Sequence, residues 1–147
     1  MYISGNIIDH LELLFENSRD FVFFIRKIDQ DYEYVYTNKS ATDMLGRNCI
    51  GTTVRKAMDS DASKFIINHY NMAINKECQY EFEDYSYFKL NVYKHETTVT
   101  PVNIGDKIYV LAITKELSSD REIQDEYLFM RSIFFKTFLS TVLVKND

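Results

Sequence analysis

YTNKSATDMLGRNCIGTTV, Tyr36 to Val54, is where the apolar pattern changes from a period of two to a helical one. Asn38 is placed to cap a short helix, Ala41, Met44 and Leu45 form its inward stripe, and Gly46 is the stop expected after its last turn. Ile50 to Met58 supplies a second short helical piece. Asp59 or Ser60 then caps a longer helix with Phe65, Ile66, Tyr70, Ala73 and Ile74 at three- and four-residue spacing.

Strands precede this stretch. FVFFIRKI, Phe21 to Ile28, is too aromatic and β-branched for a helix and ends at a polar turn, Asp29-Gln30-Asp31. In YEYVYT, Tyr32, Tyr34 and Tyr36 alternate with Glu33, Val35 and Thr37, so strict pleating puts the three tyrosines on one side. Upstream, Asn6 as cap, Asp9 in the first turn and Ile7, Ile8, Leu11, Leu14 and Phe15 at helical spacing predict an amphipathic helix within residues 1–16.

Strand character returns after the long helix. QYEFED alternates, YFKLNVYKHETTVT is long and β-rich, and KIYVLAIT is almost continuously apolar, with a turn at Asn103-Ile104-Gly105-Asp106 before it. Two strands, several short helices and three strands predict an α+β fold: a five-stranded antiparallel sheet with helices over one face. Beyond it, Ser119-Asp120-Arg121-Glu122 is a capping box that opens a C-terminal helix. Ile123, Tyr127, Met130 and Phe134 recur every three or four residues, a seam suited either to a partner helix or to the domain's own sheet.

With 147 residues the chain suits one domain with helical extensions, and 46% apolar residues with 4 Gly and 1 Pro exclude a disordered or collagen-like chain. A formal charge of -5 sets aside nucleic acid, whose phosphates need clustered Lys and Arg. No apolar run approaches the length of a membrane span, the start lacks a secretory pattern, and Cys49 and Cys78 have no metal or disulfide spacing. A cytoplasmic location with free thiols is the expectation.

The order of elements resembles a PAS domain, the sensory module of many bacterial signalling proteins, over roughly Leu14 to Thr114. Asn38, Ala41, Leu45 and Gly46 resemble the family's N-x-A…LG segment, and IGTTV, Ile50 to Val54, resembles its second glycine. TPV, Thr100 to Val102, the Gly105 turn and VLAIT resemble its last hairpin and the closing DIT. Ala112 replaces the Asp of that DIT, so the family's tie from sheet edge to outgoing helix does not carry over. The domain is expected at 17–117, followed by a signalling or linker helix at 118–147. SIFFKTFLSTVLVKND, Ser132 to Asp147, also loosely repeats the aromatic-helix, break and apolar-strand order near the start. Two readings stand: a second PAS-like repeat beginning near Tyr127 in an excerpted chain, or an ordinary C-terminal helix.

The resemblance implies a cavity between sheet and short helices, holding haem, flavin, a metabolite or nothing in relatives. Candidate walls are Phe24, Tyr36, Met44, Leu45, Val54, Met58, Phe65, Ile66, Tyr70 and Val110, each of which also has a plain reading as core. Gly46-Arg47-Asn48-Cys49 resembles the flavin-adduct motif of the LOV receptors, but Gly51 better matches their motif glycine. Cys49 then falls about five residues early, and Val110 stands where a flavin-binding Gln is expected. Flavin is disfavoured. Haem is disfavoured too: His69 is the best placed of His10, His69 and His95, but sits beside polar Asn68. No catalytic motif and no metal site is found, and the acidic pairs Glu81/Glu83 and Glu83/Asp84 read as a solvated strand face. The cofactor is left unknown, with none favoured.

The expectation is therefore a non-enzymatic PAS sensory and dimerisation module of a larger bacterial signalling protein. It is expected to sense an unidentified small ligand or a partner, to relay it through the C-terminal helix to an effector in the same polypeptide, and to form a homodimer built on Ile7, Leu11 and Leu14 with the Ile123, Tyr127, Met130 and Phe134 seam. The alternative is a ligand-free PAS module used only for assembly.

Overall fold

The computed structural model describes residues 3–88 and 91–118. The C-terminal seam at Ile123, Tyr127, Met130 and Phe134, the capping box and the suspected second repeat lie outside these residues. The elements are α1 (Ile3–Phe15), β1 (Phe21–Ile28), β2 (Asp31–Thr37), α2 (Lys39–Leu45), α3 (Val54–Ala57), α4 (Ser60–Lys76), β3 (Tyr80–Phe88), β4 (Asn91–Ile104) and β5 (Lys107–Ser118). One five-stranded antiparallel sheet, in the order β2-β1-β5-β4-β3, matches the expected α+β class. The described residues fall into two compact units, 3–82 with 96–115, and 83–88 with 91–95 and 116–118. In the second, Glu83 pairs with Lys94 at 3.4 Å, so that carboxylate belongs to a cross-strand ion pair.

The helix signals in the middle of the chain act as read. Asn38 caps α2 through Oδ1, which accepts from Ala41 N, and Asp59 caps α4 by accepting from Ala62 N at 2.8 Å. Gly46 ends α2 in the left-handed region at φ 78°, its N–H returning to Thr42 and Asp43 carbonyls. No atom lies within 4 Å of the place a Gly46 Cβ would occupy, so backbone conformation alone opposes a side chain. Gly46→Ala is accordingly expected to lower stability by about 1 kcal/mol, read as a urea midpoint shift at constant slope.

Three boundaries differ from expectation. α1 begins at Ile3, leaving Asn6 inside the helix instead of capping it. Tyr87 and Phe88 end β3, so the long run assigned to one strand is divided between β3 and β4. A run that is β-prone throughout carries no local mark of where one strand stops. β5 also continues past Thr114 to Ser118.

The largest departure is inside β2. Phe24 pairs with Tyr36 while Ile25 pairs with Tyr34, so two steps on β2 oppose one on β1, a bulge that makes Val35 the extra residue. The bulge breaks the alternation. Tyr32 and Tyr34 face one side with Phe23 and Ile25, whereas Tyr36 joins Val22, Phe24, Tyr109 and Leu11 on the other. The sheet is thus covered on both faces. α2, α3 and α4 cover the first through Ala41, Val54, Ile67, Tyr70 and Ala73; α1 covers the second through Leu11, with Ile7, Ile8 and Phe15 packed beside it.

Candidate functional site

The face under α2 to α4 carries several polar atoms within a largely apolar cluster. β2 places Tyr32 and Tyr34 there, and α4 places Tyr70 and Asn71 opposite them. Tyr32 donates to Asn71 Oδ1 at 2.7 Å and meets the Tyr70 ring edge-on, with centroids 5.1 Å apart. The Tyr34 hydroxyl is buried without a hydrogen-bond partner. Around these lie Val54, Ile67, Ala73, Val99 and Val110, with Leu45, Met58 and Ile66 partly buried against them.

Cys49 belongs to the same cluster. The link between α2 and α3 runs along the edge of β2: Gly51 N donates to Tyr34 O at 2.9 Å and Tyr34 N donates to Thr52 O at 3.0 Å. This pairing occupies an edge that would otherwise be open. It also turns Cys49 inward, fully buried, while Ile50 points out.

Burial pushes Tyr32, Tyr34 and Tyr70 far above the ordinary tyrosine range, with Cys49 and Asp31 adding to the effect at Tyr34, and Tyr34 and Tyr32 at Tyr70. Tyr36 on the other face is also raised, by burial and by its 2.8 Å hydrogen bond to Glu16 Oε1. The native state holds these protons more tightly than the unfolded chain. Their stabilising contribution is complete below the unfolded value of about 10 and is lost as pH rises past it toward the folded values. In an alkaline titration Tyr32, Tyr34, Tyr36 and Tyr70 should ionise together with unfolding. Tyrosinate absorbance followed alongside circular dichroism checks this; smooth ionisation of every tyrosine in a still-folded protein would contradict it.

The expected walls divide. Leu45, Val54, Met58, Ile66, Tyr70 and Val110 lie on the face under the helices. Phe24 and Tyr36 are instead on the opposite face, because the β2 bulge turns Tyr36 over and Phe24 is its cross-strand partner. Met44 is 49% exposed, since the short α2 turns only Ala41 and Leu45 inward. Phe65 is also exposed and packs edge-on to His69 and Phe82. Tyr32, Tyr34, Cys49 and Asn71 were not among the expected walls. The alternation of YEYVYT marked both tyrosines, but only register shows which of the three share a face.

His69 is held in an aromatic stack, its ring 3.9 Å from Phe82 and nearly parallel to it, with Nδ1 3.2 Å from the Tyr80 hydroxyl. Val110, at the position the LOV resemblance assigns to a flavin-binding Gln, is fully buried in the core cluster. Among the described residues no group of three or more His, Cys, Asp and Glu is gathered as a metal site requires, and no helix is long and apolar enough to cross a membrane. A separate cleft of about 390 Å³ is lined by Ile74, Glu77, Pro101, Asn103 and Ile108.

Ile7 and Leu11, expected at a dimer interface, are turned onto the chain's own sheet. Leu14 is 69% exposed, and its neighbour Leu13, absent from the expected interface, is 84% exposed. The helix buries the face that matches its own sheet and leaves these two leucines free.

No family model matches the sequence, and no curated protein matches it. Solved structures do match in fold. The PAS domain of BvgS from Bordetella pertussis aligns with a TM-score of 0.60 at 10% identity, covering 86% of this chain and 98% of that one. A LOV protein from Rhodobacter sphaeroides gives 0.58 at 14% identity, covering 80% and 70%. A PAS domain from Colwellia psychrerythraea gives 0.57 at 14% identity, covering 78% and 99%. The chain has the PAS fold.

Proposed function

We propose that this chain is a sensory and dimerisation module of a larger cytoplasmic bacterial signalling protein, such as a histidine kinase or a cyclic-dinucleotide enzyme. A small ligand or a protein contact alters packing around Tyr32, Tyr34 and Tyr70, and the change leaves through residues 118–147 toward an effector in the same polypeptide. A PAS domain from a two-component sensor histidine kinase, similar in fold with a TM-score of 0.53 at 14% identity, supports the setting.

The observation that carries the reading is the position of β5. It is the central strand of the sheet, its Val110 and Ala112 are buried under the helices, and it is the last described element before residues 119–147. A shift in the core thus has a direct covalent route outward. Ala112 cannot make the contact an Asp would make there, and a 2.8 Å hydrogen bond between Thr114 Oγ1 and Thr97 Oγ1 ties this stretch of β5 to β4. A ligand shifts such a system only if it favours one of two packings.

Native mass spectrometry of freshly purified protein tests the sensory part. A retained small molecule is the expected result. A ligand-free protein whose core exchanges amide protons only on global unfolding would favour the assembly-only module, a reading supported by the complete burial of Ile25, Val54, Val99 and Val110. Colourless protein is expected in either case; a yellow, light-bleached or haem-like spectrum would overturn that expectation. The dimer is assigned to the exposed Leu13 and Leu14. The double variant Leu13→Glu/Leu14→Glu should convert a dimer into a monomer by size exclusion with light scattering, and an unchanged dimer would remove α1 from the interface.

A further inference from the structure

We propose that the Tyr34 hydroxyl is the recognition group of an internal site for a small, neutral molecule bearing one hydrogen-bond acceptor, such as a carbonyl oxygen or an unprotonated ring nitrogen. The inference rests on the sensory reading above and names the class of ligand for that same face of the sheet.

Tyr34 is 1% exposed and its hydroxyl has no partner, in a core where Tyr32 already donates to Asn71. Burying an unmatched phenol is unfavourable, because the water it loses is not replaced. A Phe would fill the same volume without that loss. The hydroxyl therefore adds nothing to stability that its ring does not, and an occupant with an acceptor is what would satisfy it.

The surroundings restrict the occupant's charge. Burial and the Asp31 carboxylate oppose negative charge at Tyr34, and burial opposes it at Tyr70. An anion is disfavoured because the same burial would strip its water, and at Tyr34 the Asp31 carboxylate adds repulsion. The phenol oxygen can also accept, but the burial that opposes an anion equally opposes a cationic donor, which leaves a neutral occupant. Val54, Ile67 and Val110, buried in the same core cluster as Tyr34, suit a compact apolar body.

Pyridine and benzene have nearly the same shape and differ by one acceptor atom, so they serve as the probe pair, at a mildly alkaline pH where pyridine is neutral. Binding to the full chain is followed by amide chemical shifts. Wild type should bind pyridine about tenfold more tightly than benzene, with shifts centred on Tyr34, Cys49 and Tyr70; Tyr34→Phe should bind both alike. Unliganded Tyr34→Phe should melt no lower than wild type. Equal affinity of wild type for the two probes, a pyridine preference that survives in Tyr34→Phe, or binding of neither probe would each overturn the proposal, the last meaning that the hydroxyl meets water only. A charged or larger molecule retained in native mass spectrometry would overturn this ligand class while leaving the sensory reading intact.

Discussion

Asn38→Ala is expected to destabilise the protein by about 3–5 kcal/mol, enough to unfold much of a domain of ordinary stability. Asn38 is completely buried. Its Oδ1 accepts from Val22 N at 3.1 Å and Ala41 N at 2.9 Å, while Nδ2 donates to Phe15 O at 2.9 Å and Asp20 O at 2.8 Å. One side chain therefore joins the end of α1, the loop before β1, the start of β1 and the start of α2. Removing it strands two backbone donors and two acceptors, each worth about 1–3 kcal/mol when unmatched, with partial recovery by water entering the vacated space. Asn38→Asp keeps the acceptor but sets a second carboxylate oxygen against the Phe15 and Asp20 carbonyls, so it should also be severely destabilised near neutral pH. Urea unfolding followed by circular dichroism measures both. A loss under about 1 kcal/mol for Asn38→Ala would show that the four hydrogen bonds do not hold the junction.

The two sides of α1 should respond very differently to a buried charge. Leu11→Asp is expected to cost at least about 4 kcal/mol, because it removes a packed side chain and sets a carboxylate against Val22, Phe24, Tyr36 and Tyr109. Leu14→Asp, on an exposed position, should change monomer stability by less than about 0.5 kcal/mol. Thermal unfolding of the two variants and of wild type, each diluted until light scattering shows monomer, decides it. Similar losses in both would mean that α1 does not cover the sheet as described. Deleting residues 1–16 is a poor probe of dimerisation for the same reason, since it strips the apolar face that Leu11, Ile7 and Phe15 cover.

The Phe24 and Tyr109 rings, 4.9 Å apart and nearly parallel, show how closely that second face is packed. The Tyr36 hydrogen bond to Glu16 ties the same face to the end of α1. α1 is therefore part of the folded core rather than an appendage, although its periodicity alone is equally compatible with a partner chain.

Helix caps and stops were legible because their chemistry is local. Asn38, Gly46 and Asp59 each act on backbone groups within four residues, and a left-handed φ or a capping carboxylate leaves its mark on residue type. The α+β class was legible for a related reason: the change of apolar period on either side of Tyr36 to Val54 is written residue by residue. Asn38 illustrates the limit even so. Its capping role follows from its spacing to Ala41 and its neighbours, but its hydrogen bonds to Val22, Phe15 and Asp20 cross 16 to 23 residues and have no local signature.

The candidate site was legible only in part, and the bulge at Val35 accounts for the clearest error. Strict alternation put Tyr32, Tyr34 and Tyr36 on one face, and an extra residue in the ladder sent Tyr36 to the other with its partner Phe24. A bulge is chosen by how β1, β2 and their coverings fit together, so nothing in YEYVYT announces it. The inward turn of Cys49 is of the same kind, set by the pairing of Gly51 and Thr52 with Tyr34 across the edge of β2. Element type rests on interactions between near neighbours, which residue order specifies directly. Which tyrosine meets α4, which faces α1 and which hydroxyl is left unmatched depend on contacts between distant segments, and these exist only once the sheet has closed on both of its covers.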